Sequence, residues 1–184
     1  MPSILELSEK SELQSDPHAF NLAVWEGVLA DSYLSSLPGK IETNAFGQVL
    51  MSPPPHPEHG QEQFKIGLKI HQALSEGEII TECPLSTSDG VKGIDVAWMS
   101  LDRLKARGDK PVYTTAPEIC VEVISPCNSR QEMAQKKSLY FEAGALEVWF
   151  CSPDGKMSFY LKDDPDTPAR SAMVPDMPLV IETI

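Results

Sequence analysis

The sequence predicts a mixed α/β domain in which helices flank one central sheet. Two observations predict it. Apolar residues recur at helical spacing in some segments and form short strand-like runs in others, and the order along the chain is helix, hairpin, helix, strands, helix, strands. The 184 residues fit a single domain over 1–184, with an N-terminal helix at about 16–35 and a proline-rich C-terminal tail at 163–184 as extensions.

The N-terminal part predicts a helix followed by a hairpin. Asp16 and Pro17 form a helix start, with an N-cap residue and a proline at the first helical position. The stretch "IETNAFGQVLMS" then alternates around a turn at 44–47, which predicts a hairpin over 41–51.

The middle of the chain predicts a second helix and then strands. The helix runs over about 58–75 and ends at Gly77, and its apolar positions are Phe64, Leu68, Ile70 and Leu74. Two successive strands, "EIITECPLST" and "KGIDVAWMS", are joined by a turn at 88–90. A short exposed helix is expected in "SLDRLKARGDK".

The C-terminal part predicts a central strand, a helix and a hairpin. The unbroken apolar character of "EICVEVIS" is typical of a strand covered on both faces. Ser129 and Glu132 match a capping box, so a helix begins there, and Gly144 ends it. The runs "LEVWFCS" and "KMSFYLK" form the hairpin, and the tail at 163–178 is expected to be a loop leading to a short strand, "LVIETI".

Composition excludes several classes of protein. The chain has 15 basic and 27 acidic residues, a net charge of -12, so its overall field repels polyanions. Four cysteines without a CxxC pair indicate neither a zinc site nor a disulfide framework. No apolar run approaches the ~20 residues of a membrane span, and the N-terminus lacks the pattern of a signal peptide. We therefore expect a cytoplasmic protein.

Two acidic residues lie inside strands that are otherwise apolar. Asp95 stands in "GIDVAW" and Glu122 in "EICVEVIS". Burying an ionised carboxylate costs several kcal/mol unless it is paired, and two carboxylates on neighbouring strands are what a divalent-cation site requires. The pair therefore indicates a Mg²⁺ or Mn²⁺ site, although a lone strand acid often caps a turn or accepts backbone hydrogen bonds instead.

Lys136 lies two turns into the helix that follows the Glu122 strand. From there its ammonium can pair with Glu122 and stabilise charge on a phosphate, whereas Lys137 points about 100° away around the helix. A simpler interpretation is also open, because Glu132 and Lys136 have the i, i+4 spacing of a solvated surface ion pair.

Three segments resemble the Uma-type family of bacterial restriction-endonuclease-like proteins, a branch of the PD-(D/E)XK nuclease superfamily. They are "FGQVLMSPPPHPEHG", "GVKGIDVAW" and "PEICVEVISPCNSRQEMAQKKSLYFEAGALEVWFCSPDGKMSFY". The resemblance covers Gly47 to Tyr160 and implies a restriction-endonuclease-like mixed sheet flanked by helices, with a Mg²⁺-dependent phosphodiesterase site. It implies that Asp95 and Glu122 are metal ligands and that Lys136 is catalytic.

The sequence departs from this family pattern at two positions. The superfamily places its lysine two residues after the second acid, where this chain has Ile124, so the lysine is expected from the following helix. Ile94 stands where the family commonly has proline. Two further residues, Glu42 and His59, fall near positions where the family often has an acid and a histidine. Glu42 is interpreted as a solvated acid on an exposed strand, and for His59 a capping or loop role is equally compatible with the sequence.

The predicted function is that of a metal-dependent endonuclease acting on DNA as a homodimer, the dimer being implied by the resemblance. A zinc site in "HPEH" is disfavoured, because the two histidines of a metalloprotease motif lie one turn apart inside a helix, and Pro57 between His56 and His59 is unfavourable in a helix interior. A basic cluster offers a local surface for DNA; its members are Arg103, Lys105, Arg107 and Lys110. The simpler interpretation is that these side chains are the solvated face of a short exposed helix. The alternative function is a catalytically inactive binding or assembly module that retains the nuclease fold.

Overall fold

The computed structural model describes residues 16–182. Helices are α1 (Pro17–Ala30), α2 (Ser32–Ser36), α3 (Pro57–Ala73), α4 (Leu101–Arg107) and α5 (Arg130–Glu142). Strands are β1 (Lys40–Thr43), β2 (Val49–Ser52), β3 (Gly77–Thr87), β4 (Gly90–Ser100), β5 (Ile119–Val123), β6 (Glu147–Cys151), β7 (Met157–Leu161) and β8 (Asp164–Ala169).

A six-stranded sheet in the order β3-β4-β5-β6-β7-β8 forms the centre of the domain. Neighbouring strands run antiparallel except β5 and β6, which are parallel. A parallel pair needs a crossover connection, and α5 supplies it between β5 and β6. The predicted mixed sheet flanked by helices is therefore confirmed, and the predicted hairpin is present as a separate two-stranded sheet of β1 and β2.

The sheet is covered on both faces, as the unbroken apolar strands predict. Ile66 and Ile70 of α3 pack with Val121 and Val123 on one face. On the other face Leu139 and Tyr140 of α5 pack with alternate residues of β5 and β6, Cys120, Val148 and Phe150. Because side chains alternate along a strand, Glu122 follows Cys120 onto the α5 face.

Three elements differ from the sequence prediction. The first helix divides at Asp31, which caps the end of α1 and accepts hydrogen bonds from Tyr33 and Leu34 at the start of α2. Phe64 and Leu68, which were predicted to belong to the buried apolar face of α3, are 68% and 42% exposed. The helix turns a different face to the sheet because the close approach is made at Gly67, where a Cβ would lie 3.1 Å from Ile79.

The C-terminal tail is the third difference. Residues expected to form a loop make the edge strand β8, in which Pro165 and Pro168 are tolerated because only one side of an edge strand is paired. The expected strand at 179–184 is reduced to a single bridge between Val180 and Lys156, and its residues 183–184 lie outside the described part of the chain. Ile181 is buried in the core beside α3, which anchors this segment.

Candidate active site

Asp95 and Glu122 stand at facing positions on neighbouring strands. The last paired residues of β4 and β5 are Val96 and Val121, and the two acids are each one residue beyond them. The side chain of Asp95 continues the ladder, because its Oδ2 accepts a hydrogen bond from the backbone N–H of Val123 at 2.8 Å. Both side chains are buried, with 4% of each exposed.

Glu122 has two partners on α5. Lys136 Nζ donates to its Oε2 at 3.1 Å, and the Tyr140 hydroxyl donates to its Oε1 at 2.5 Å. Lys136 and Tyr140 are one turn apart, so the same helical face presents both donors to the strand. The buried Glu122 carboxylate is therefore paired with side chains of the same chain, and Lys136 is a buried partner of it and not a solvated surface residue.

Glu42 also belongs to this cluster, which corrects the expectation of a solvated acid. Its Oε1 accepts hydrogen bonds from Lys136 Nζ at 2.9 Å and from the Gly93 N–H at 3.0 Å. Strand β1 docks along β4, so one of its side-chain faces is covered although the hairpin as a whole is peripheral. Lys136 is therefore shared between two carboxylates.

Asp95 has a different set of neighbours. Lys40 Nζ donates to its Oδ1 at 2.5 Å and lies 3.5 Å from Glu82, and His59 Nε2 is 3.7 Å from the same Asp95 oxygen. Glu82 occupies the β3 position opposite Asp95, between two paired positions of the ladder, and its backbone φ is 51°, a strained value for a residue with a side chain. Sequence patterns gave no indication of Lys40 or Glu82.

The location of His59 does not fit the capping or loop role that the sequence left open. It lies inside the first turn of α3, and the N-cap residue is His56. Ligand atoms of His59, Glu82 and Asp95 lie within 4.8 Å of one another, which makes these three residues a possible metal-binding set. Glu122 is not among them, so two donor sets, this one and the predicted Asp95–Glu122 pair, share Asp95.

Charge in the cluster is unbalanced. Four carboxylates, from Glu42, Glu82, Asp95 and Glu122, face the ammonium groups of Lys40 and Lys136, which leaves a formal charge of −2 when His59 is neutral. Most of these groups are buried, where charges interact more strongly than in water. The donor set and its charge fit a divalent cation.

The pKa values follow from burial and from these pairings. Burial raises the pKa of Glu122 to about 7, despite the opposing effect of the Lys136 charge. Burial acts in the same direction on Asp95, but the neighbouring His59 ring and the charge and hydrogen bond of Lys40 outweigh it and hold its pKa well below the usual range. The neighbouring Asp95 carboxylate, 3.7 Å away, raises the pKa of His59. Near neutral pH, Glu122 therefore exchanges a proton readily and Asp95 stays ionised.

Three basic residues outside the cluster, Lys137, Arg103 and Arg107, contact other parts of the structure. Lys137 points away from the site, as expected, and its Nζ lies 4.2 Å from the ring centroid of Tyr160. Arg103 bonds Glu118 at 3.2 Å and the carbonyl of Gly144, and Arg107 stacks on Tyr113. The two arginines therefore hold the structure around α4, which leaves less positive charge for nucleic acid than the sequence cluster indicated.

Comparison with known proteins identifies the family of the chain and a structure with the same fold. A family model named Uma2, with the description "Putative restriction endonuclease", matches residues 31–179. No curated protein sequence matches the chain. A solved crystal structure, titled as a putative nuclease belonging to DUF820 from Anabaena variabilis ATCC 29413, matches with a TM-score of 0.58 at 18% identity, over 74% of this chain and 79% of that chain. At this identity the structural match shows a common fold. No helix between residues 16 and 182 has the length and apolarity to cross a bilayer.

Proposed function

Because this chain belongs to the Uma2 family of restriction-endonuclease-like proteins, we propose that it is a divalent-metal-dependent endonuclease that hydrolyses DNA phosphodiester bonds. The observation that carries the proposal is the cluster in which four carboxylates face two lysines at the point where β4 and β5 stop pairing. Glu82 is 51% exposed, so the mostly buried part of the cluster has three carboxylates against two ammonium groups. Fold stability alone gives no reason to collect this excess of negative charge, since unpaired buried charge destabilises a protein.

Asp95 and Glu122 are the proposed ligands of Mg²⁺ or Mn²⁺. They are carboxylates on rigid neighbouring strands, and both are buried, which favours displacement of their present lysine partners by a more highly charged ion. When bound, the metal would lower the pKa of a water molecule and neutralise charge on the phosphate.

Lys136 is the proposed catalytic lysine. It donates to Glu42 as well as to Glu122, so its ammonium keeps a partner at the site when Glu122 is engaged elsewhere. A fixed ammonium beside the metal ligands can orient the attacking water and stabilise negative charge that develops on the phosphate. Tyr140 holds the other oxygen of Glu122 and so fixes its orientation.

A plasmid-nicking assay tests the proposal. Purified wild type is expected to relax supercoiled DNA in Mg²⁺ or Mn²⁺ and to lose this activity in EDTA. Asp95→Asn and Glu122→Gln keep the size of each side chain, and each should reduce the rate by about 100-fold or more because they remove ligand charge. Lys137→Met, on the same helix as Lys136 but directed away from the site, is the control and should cut at nearly the wild-type rate. Equal rates in Asp95→Asn and wild type would contradict the proposal.

A catalytically inactive binding or assembly module is the second candidate. The observation that favours it is the net charge of -12, which repels a polyanionic substrate. This candidate predicts a folded wild type that nicks no DNA and binds no divalent metal, and a Glu122→Gln variant that is more stable and otherwise unchanged.

We also propose that the protein acts as a homodimer, because a single active site of this kind cuts one strand at a time. Sedimentation analysis of the full chain would show a mass of about 40 kDa, twice the 20.2 kDa of one chain. A single species at the monomer mass across the assay concentrations would contradict the proposal.

A further inference from the structure

Lys40 lies against one carboxylate oxygen of Asp95, a proposed metal ligand. Its Nζ lies 2.5 Å from Asp95 Oδ1 and 3.5 Å from Glu82 Oε2. Only 18% of its side chain is exposed, so it is held in place and is not a freely moving surface lysine. Unlike Lys136, it comes from the β1–β2 hairpin, which is 55 residues away along the chain from its partner.

Gly93 makes room for the side chain of Lys40. A Cβ on Gly93 would lie 2.6 Å from Lys40 Cε, closer than two carbon atoms can approach. Gly93 is not among the residues with positive φ, so its backbone conformation does not itself require glycine. The lysine stem therefore occupies the space above Gly93, and a methyl group there would push the end of this flexible side chain aside.

A second carboxylate lies within reach of Lys40. Glu82, 51% exposed, stands opposite Asp95 on the adjacent strand. An ammonium that leaves Asp95 can remain paired with Glu82 at the edge of the site, where solvent lowers the cost of the movement. The lysine thus has one position on Asp95 and another available on Glu82.

We propose that Lys40 is a resident cation that competes with the divalent metal for Asp95, and that Gly93 is the residue that permits this competition. In the metal-free protein the ammonium neutralises the buried carboxylate; metal binding moves it towards Glu82. This inference rests on the proposed function, because it takes Asp95 as a metal ligand. Its consequence is that Lys40 weakens metal binding, so that occupancy follows the free metal concentration.

Calorimetric titration of the metal-free full chain with MnCl₂ tests the inference without reference to activity. Lys40→Met removes the competing charge and keeps the length of the stem, and we expect about tenfold or tighter Mn²⁺ binding. Gly93→Ala keeps every charge and only pushes the lysine stem aside, and it should tighten binding about threefold or more. A lysine with a merely structural role would give equal or weaker binding in both variants.

Two matched controls separate local from general effects. Lys69→Met removes a charge from an exposed position on α3, and Gly27→Ala adds a methyl group where no atom lies within 4 Å. Each should change the Mn²⁺ affinity by less than about twofold.

The possible outcomes distinguish the inference from the function on which it rests. Wild type that binds Mn²⁺ while folded Lys40→Met and Gly93→Ala bind no tighter would overturn the competition but not the metal site. Absence of binding in wild type and in both variants would overturn both. Folding is checked by circular dichroism; if Lys40→Met fails to fold, Gly93→Ala decides the result alone, because it retains every charged group of the cluster.

Discussion

Removal of the Lys136 charge should destabilise the protein in a way that depends on pH. The change is Lys136→Met, which keeps the unbranched stem and removes the ammonium. Its Nζ donates to Glu42 at 2.9 Å and to Glu122 at 3.1 Å, and only 8% of the side chain is exposed. The variant therefore leaves two buried carboxylates without their shared cation.

The expected loss at pH 8 is about 3–5 kcal/mol in the free energy of unfolding, the usual cost of breaking a buried ion pair from one side. At pH 6 the loss should be smaller by about 1–2 kcal/mol. The sign follows from Glu122, whose native pKa of about 7 is raised above that of the unfolded chain. Such a group stabilises the native state at low pH and loses that contribution as the pH rises through 7. At pH 6 Glu122 is already protonated, so Lys136→Met affects mainly Glu42.

Urea denaturation at pH 6 and pH 8 measures both quantities. The control is Lys137→Met, which removes a lysine whose Nζ lies over the Tyr160 ring, donates to the Pro165 carbonyl and is near the exposed Asp166. It should cost about 1–2 kcal/mol, the same amount at either pH. A loss below about 1 kcal/mol for Lys136→Met at pH 8 would refute the reasoning, and so would a loss that is larger at pH 6.

Three further predictions concern other parts of the molecule. Glu147→Gln should lower the free energy of unfolding by about 1–3 kcal/mol, because the buried carboxylate accepts hydrogen bonds from Trp149 Nε1 and from the N–H groups of Ala172 and Met173. Urea denaturation measures the loss, with Glu26→Gln at an exposed position as the control. Equal stability of the two variants would contradict this role of Glu147. Ellman's reagent at pH 8 should modify one thiol in the native protein, that of the exposed Cys127. The other three are buried, which raises the pKa of Cys83 and of Cys151 to about 12 and that of Cys120 well above its usual value. Rapid labelling of two or more thiols would contradict this prediction. Calorimetric Mn²⁺ affinity of the wild type should rise from pH 6 to pH 8 because Glu122 must lose its proton to bind metal, and a flat profile would count against Glu122 as a ligand.

Most of the fold could be predicted because helix caps and apolar runs depend on residues that are close together in the sequence. The capping box at Ser129 and Glu132 is formed in the structure and fixes the start of α5. The apolar strands predicted a sheet covered on both faces, and the covering helices lie there. β8 was not predicted, since prolines and aspartates disfavour strands and only its position at the edge of the sheet permits them.

The candidate site was predictable only in part, for a related reason. An acid inside an apolar strand is conspicuous in a sequence, because a buried carboxylate needs a partner. Asp95 and Glu122 were recognisable for this reason, and Lys136 as a partner within reach on the next helix. Lys40 and Glu82 gave no such signal, because a lysine before a hairpin and a glutamate in a polar strand are ordinary surface residues. Their role depends on docking of β1 along β4, a contact between segments distant in sequence.

An anomalous difference map from a crystal of the protein soaked in MnCl₂ tests the central claim most directly. We expect a manganese peak bound by carboxylate oxygens of both Asp95 and Glu122, with Lys136 still paired with Glu42. A peak held by His59, Glu82 and Asp95 while Glu122 remains bonded to Lys136 would contradict the proposed ligands. A map without any peak at Asp95 would contradict the metal site itself.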